Sequence, residues 1–146
     1  MATYSSPDYT LNAPVPSNGL SRSAMVLYFP ITTTAALTTA DVFNFGYVPA
    51  NFRLVDAILK GTDMDTNGLP TLTINVGISG TAQLIFAASV TGQAGVVDRA
   101  MAVAGVNYKF TSKTLIVGAP AANAATGVAG TLELVLIGYV EDSSTS

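Results

Sequence analysis

Residues 71–78, TLTINVGI, alternate without a break: Leu72, Ile74, Val76 and Ile78 fall on one side, and Thr71, Thr73, Asn75 and Gly77 on the other. A period of two is that of a β-strand with one face in a core and one in water. Ser79-Gly80 then offers a two-residue turn, and Ala82–Ala88 can return antiparallel with Leu84 and Phe86 facing inward. This hairpin sets the reading of the rest of the chain.

Working outward, further strands are expected over Ser23–Phe29, Asp41–Gly46, Arg53–Lys60, Arg99–Val103, Asn107–Thr111, Thr114–Gly118 and Thr131–Val140. The last is the longest. Leu132, Leu134, Leu136 and Val140 mark one face and Val135, Ile137 and Tyr139 the other. With both faces partly apolar, it should lie centrally in a sheet or under another subunit. Residues 51–60 also carry Leu54/Ile58 and Val55/Leu59 at helical spacing, with Asp56/Lys60 as a compatible ion pair; the strand reading is preferred. One helical turn fits within Phe86–Val97. Short strands punctuated by turn residues, without a long amphipathic helix, predict an all-β, antiparallel sandwich.

The chain has 146 residues, 49% of them hydrophobic and only 10% charged, a net charge of −3, and neither histidine nor cysteine. Ser/His/Asp and Cys/His triads, imidazole or thiolate zinc sites and disulfides are thereby excluded. The charged fraction lies far below the roughly 25% of ordinary soluble domains. With 29 Ser and Thr, the polar surface must be largely hydroxyl and backbone. Such a weakly repulsive surface suits a subunit whose faces are covered by neighbours. The six cations, Arg22, Arg53, Lys60, Arg99, Lys109 and Lys113, are scattered singly, so no basic stripe for nucleic acid is expected. No span of 18 apolar residues and no basic-then-apolar leader is present, so neither a membrane helix nor a secretory signal is expected.

Three domains of organisation follow: an extended arm over 1–22, a sandwich over 23–142 and a polar tail over 143–146. The arm carries Pro7, Pro14 and Pro16 and no sustained period. Tyr4 and Tyr9 stand in it with no local core to join, and with Leu11, Pro14 and Pro16 they form the candidate partner-binding set. The prolines would stiffen the arm and lower the entropy lost on docking.

Asp63-Met64-Asp65-Thr66-Asn67-Gly68 matches the opening of a calcium loop, making Asp63, Asp65 and Asn67 a candidate cation site. The bidentate Glu that an EF-hand needs at the twelfth position is replaced by Ile74, which excludes that motif. The competing reading is a tight turn, with Asp65 and Asn67 as side-chain caps and Gly68 at positive φ. Gly77-Ile78-Ser79-Gly80 falls one residue short of a nucleophile elbow, and no base is available for it. The carboxylate pairs Asp63/Asp65 and Glu141/Asp142 are expected on a turn and at the tail, where nothing would raise a pKa for acid catalysis. No catalytic residue and no cofactor is therefore expected. A glycan-binding sandwich would need exposed aromatics, and the absence of Trp weakens that alternative.

Taken in order, VPANFRLVDAILKGTDMDTNGLPTLTINVGISGTAQLIFAASVTGQAG, then NYKF, TLIV and TGVAGTLELVLIGYVED, resembles the small all-β decoration, or cement, proteins of tailed bacteriophage capsids. The likeness spans roughly residues 45–142, is strongest from Asp63 to Thr73 with Asn75-Val76-Gly77, and leaves 1–22 uncovered. It implies a jelly-roll sandwich made in the host cytoplasm and carried on the outer surface of the virion capsid. Its expected partner is the major capsid protein, and its expected state a homo-oligomer, with a trimer favoured. A tail, fibre or surface-assembly subunit is the alternative structural role.

Overall fold

A computed structural model describes residues 1–10 and 24–141. Its strands are β1 (Thr3–Ser5), β2 (Ala24–Thr32), β3 (Val42–Val48), β4 (Phe52–Gly61), β5 (Thr73–Ile78), β6 (Thr81–Ser89), β7 (Val97–Asp98), β8 (Lys109–Phe110), β9 (Thr114–Ala122) and β10 (Thr131–Val140). Two single-turn helices, α1 (Pro7–Thr10) and α2 (Thr91–Ala94), and a 3-10 turn at Val103–Gly105 complete the described elements.

One sheet runs β1-β3-β9-β5-β6 and the other β2-β10-β4-β7, with β8 also paired to β4. Consecutive strands alternate between sheets except at the β5–β6 hairpin and the short β7–β8 pair. Setting β1 aside, β2-β10-β4-β7 facing β3-β9-β5-β6 is the strand order of an eight-stranded jelly roll. The expected all-β sandwich is thus the observed fold.

The inner faces supply the core. Phe43 and Phe45 of β3, Phe52, Leu54 and Leu59 of β4, Ile74 and Val76 of β5, and Leu132, Leu134 and Leu136 of β10 are fully buried. Strand β10 is central, pairing antiparallel with β2 on one side and β4 on the other, and its outward face carries Val135, Ile137 and Tyr139 beside Thr131 and Glu133. Residues 52–61 are strand, not helix: β10 offers them a full ladder, and the exposed Val55 and Asp56 mark a bulge opposite Ile137 and Gly138. A Cβ at Gly138 would run into the Arg53 carbonyl and the Phe52 ring, so glycine is required there. The β5–β6 hairpin turns at Ser79-Gly80, with Gly80 at φ 84°.

Several boundaries differ from the sequence expectation. Strand β2 continues through Pro30, tolerated because β2 is an edge strand with no partner beyond it in its sheet. Strand β9 continues to Ala122, with Pro120 beyond Gly118, the last residue paired to β3. Arg99–Val103 is not a strand: Asp98 Oδ1 accepts the Ala100 amide, turning the chain away from β4 after two paired residues. Leu84, Ile85 and Phe86 are all buried, not Leu84 and Phe86 alone, because register shifts between β5 and β6 break the alternation.

The largest departure is at the amino-terminal end. Residues 3–5, read from the sequence as part of an arm, form an edge strand parallel to β3, in register Thr3↔Val42, Tyr4↔Phe43 and Ser5↔Asn44. Ala2 N–H donates to Asp41 Oδ1 at 2.8 Å, and the buried Ser6 hydroxyl donates to the Phe45 carbonyl.

Candidate interaction site

The sandwich has two dissimilar ends. At one end β3 passes into β4 and β10 finishes at Val140, opposite Phe52. Tyr9 of α1 stacks on Tyr47 with ring centroids 6.1 Å apart, and Lys113 Nζ lies 4.6 Å from the centroid of the same ring. Arg53 Nε meets Glu141 Oε1 at 2.5 Å, and Lys109 Nζ meets Glu141 Oε2 at 3.0 Å. Hydrogen bonds from Arg53 and then Lys109 lower the Glu141 pKa to about 2. A group held ionised in this way is the reverse of a general acid.

At the other end, loops 33–41, 62–72 and 123–130 meet. Their organiser is Asp65, which is fully buried. Its Oδ2 accepts the amides of Thr71 at 2.8 Å, Leu72 at 3.0 Å and Ala125 at 2.9 Å, and its Oδ1 accepts Thr126 at 2.8 Å. Burial pushes this carboxyl up, but the four amides outweigh burial and hold it well below the usual carboxylate range. Asp41 does a similar, smaller job, its Oδ2 accepting the Thr38 amide at 2.9 Å. Around Asp65 the surface is Ala, Thr, Asn and Gly, with Leu69 83% exposed at the tip.

These contacts decide between the two readings of Asp63–Gly68 in favour of the turn, with changes. Asp65 is not on the surface, as the sequence suggested; its oxygens are already occupied by four backbone donors and are not presented to a cation. Asp63 Oδ1 accepts the Asp65 amide at 3.1 Å, and Asn67 Oδ1 accepts Leu69 at 2.9 Å, each capping a local turn. Gly68 does not have the positive φ expected of it. Among the described residues no group of three or more acidic side chains could hold a metal ion. Excess chelator is accordingly expected to leave the melting temperature of the protein unchanged; a fall of more than about 2 °C in differential scanning fluorimetry would reinstate a bound cation.

Of the five candidate docking residues, Tyr4 is misplaced by the sequence reading. Its side chain is 8% exposed, lies 6.0 Å from Phe43 centroid to centroid, and belongs to the protein's own core. Parallel pairing with β3 turns it inward. Tyr9 is half-buried against Tyr47. Leu11, Pro14 and Pro16 fall outside the described residues, as does Asp142 of the carboxylate pair. Because β1 anchors the chain before them and β2 begins at Ala24, residues 11–23 connect two anchored points and are not a free terminus. Tyr28, in contrast, is half exposed on the outer face of β2, where its hydrogen bond to Glu133 pushes the phenol pKa up.

In this jelly roll Glu141 is held by Arg53 and Lys109, and Asp65 by four backbone amides. No family model and no curated protein matches the chain. Solved structures do. A chain of the Cyanophage Pam1 capsid asymmetric unit is 33% identical, with a TM-score of 0.76, over 87% of this chain and 91% of that one. A chain of the capsid of Ralstonia phage GP4 is 31% identical, with a TM-score of 0.82, over 97% and 99%. The present chain belongs to this family of bacteriophage capsid proteins. A chain from the acidic stable capsid structure of Helicobacter pylori bacteriophage KHP30 shares the fold at a TM-score of 0.53 and 12% identity, covering 83% and 94%.

Proposed function

We propose that this protein is a cement protein: it binds the outside of a phage capsid, contacts the major capsid protein and stabilises the shell by bridging neighbouring subunits. The observation that carries the reading is kinship along nearly the whole chain with two phage capsid chains. It is supported by a small single-core sandwich with 10% charged residues and no histidine or cysteine. A shell under internal pressure fails when subunits separate. A stiff sandwich touching two of them must lose both contacts before they part, so individually modest contacts hold through avidity.

The end carrying Tyr9, Tyr47 and Lys113 is the gripping end in this reading, with Leu11, Pro14 and Pro16 on the connection that starts there. Anchoring that connection at both ends shortens its search and lowers the ordering cost of docking. The test is co-sedimentation with purified capsids lacking this protein. Wild type should bind and raise the disruption temperature of the particles. Replacing residues 11–20 with a Gly/Ser stretch of equal length should weaken binding at least tenfold while leaving the melting temperature of the free protein unchanged. Absence of wild-type binding overturns the cement reading; undiminished binding of the replaced chain overturns the role of that connection.

A further inference from the structure

Six asparagines lie among the described residues, and of these Asn67 alone is followed by glycine. The others precede Phe45, Phe52, Val76, Tyr108 and Ala124, whose side chains crowd the amide nitrogen next to the asparagine. Asn67, Gly68 and Leu69 are all exposed, in a bend outside the sheet ladders. Nothing in the fold requires glycine at 68: its φ is not positive, and a Cβ built there meets nothing within 4 Å. What the glycine changes is chemical. Without a side chain the Gly68 nitrogen is open to approach, and the backbone around it turns easily.

The contacts at Asn67 favour attack by that nitrogen on the side-chain carbonyl. Among the described residues the Gly68 N–H donates to no protein acceptor, so nothing holds its proton in place. Asn67 Oδ1 accepts the Leu69 amide at 2.9 Å, and Asn67 Nδ2 donates to Thr126 Oγ1 at 2.9 Å. The first of these bonds closes a short ring that contains both Asn67 Cγ and the Gly68 nitrogen, which keeps the reacting atoms on one turn. The same Leu69 N–H points at the oxygen on which negative charge develops as the nitrogen adds, and it lowers the barrier by stabilising that charge. Asparagine is among the thermolabile residues, and here its two obstacles, a bulky neighbour and an occupied amide, are both missing.

We infer that Asn67–Gly68 is a site of spontaneous deamidation, with water as the co-reactant. Hydroxide takes the Gly68 amide proton, the nitrogen forms a bond to Asn67 Cγ, and the Cγ–Nδ2 bond breaks, with ammonia leaving once its nitrogen has gained a proton from water. Water then opens the five-membered imide at one carbonyl or the other. The products are aspartate and its isomer, in which the main chain runs through the former side chain. Nothing is oxidised or reduced, and the net change is one water consumed and one ammonia released. Either product adds a negative charge to loop 62–72, and the isomer also lengthens the backbone between Thr66 and Gly68. This chemistry belongs to the loop alone and stands or falls independently of capsid binding.

The test is incubation of the freshly purified full chain in neutral and mildly alkaline buffer, followed by peptide mapping with mass spectrometry. The peptide carrying Asn67 should gain about one mass unit and split into two chromatographic products, ahead of those carrying Asn44, Asn51, Asn75, Asn107 and Asn123. Its rate should rise about tenfold per pH unit, in step with hydroxide. Gly68→Ala, accommodated by the open space around residue 68, should slow conversion at Asn67 about tenfold and leave the melting temperature unchanged. Asn18-Gly19, the second such pair in the sequence, lies outside the described residues and serves as the internal reference, converting at the same rate in wild type and in Gly68→Ala. An Asn67 that stays intact after Asn18 has been fully converted would show that the fold protects it and would overturn the inference. Conversion at Asn67 no faster than at Asn123, or undiminished by Gly68→Ala, would overturn it equally.

Discussion

Asp65→Asn lowers the melting temperature by on the order of 10 °C, the largest effect expected from changing any single charged residue in this chain. The side chain accepts four backbone amides, three of them on one oxygen. An Asn carboxamide offers one oxygen and one NH2. Whichever way it is turned, the NH2 confronts at least one of the amides of Thr71, Leu72, Ala125 and Thr126, donor against donor, in a site without water access. Those amides bind loop 62–72 to loop 123–130, so both loops should loosen together. Hydrogen exchange at Thr71, Leu72, Ala125 and Thr126 should accelerate as a group while exchange in β10 holds.

The pH dependence follows from the same contacts. The folded carboxyl of Asp65 is depressed relative to its unfolded value near 3.9. Its contribution is complete above that unfolded value and is lost as pH falls toward the folded one. Glu141, lowered to about 2, behaves in the same sense. Wild type should hold its stability from neutrality down to about pH 4 and lose it progressively below. The gap between wild type and Asp65→Asn should narrow over that acid range only. A gap that closes between pH 7 and 5 would mean that Asp65 is not ionised in the fold.

Tyr4→Ala is the second large effect, costing about 3 kcal/mol, the scale of removing a buried aromatic ring. The ring packs on Phe43, and its loss opens a cavity beneath the edge of the β3 sheet. Tyr9→Ala, in a half-buried stack on Tyr47, should cost about 1 kcal/mol or less. Urea unfolding of the two variants separates a core residue from a surface one. Equal losses would show that β1 adds no more to the core than α1 does. Deleting the first ten residues therefore conflates unfolding with lost docking, and internal replacement of residues 11–20 is the cleaner probe of partner binding.

How much was legible in sequence depends on the distance over which each signal acts. The TLTINVGI strand and its turn at Ser79-Gly80 are local, set by a two-residue period and a glycine able to take positive φ. The last strand, Thr131–Val140, was bounded without error because Leu132, Leu134, Leu136 and Val140 mark one face along it. The absence of histidine and cysteine narrowed the chemistry before any fold was known. In contrast, the motif at Asp63–Gly68 identified a turn but not its purpose, because two of the four amides that bury Asp65 lie 60 and 61 residues away. Tyr4 was misread for the same reason: its ring partner and its parallel strand lie 39 residues on, and three residues are too few to show a period.

Local alternation and composition by themselves determined that this chain is an antiparallel sandwich without histidine or cysteine. They could do so because a strand's period and a missing imidazole are properties of neighbouring residues or of none. Only the tertiary structure decided that residues 3–5 pair into the sheet, that the Asp65 carboxylate accepts four backbone amides, and that Val135 and Ile137 of β10 lie beside Val26 and Tyr28 of β2 and Ile58 of β4. Each of these depends on backbone amides or side chains brought together from distant parts of the chain, and pairing at that range leaves no mark on the local pattern of either partner.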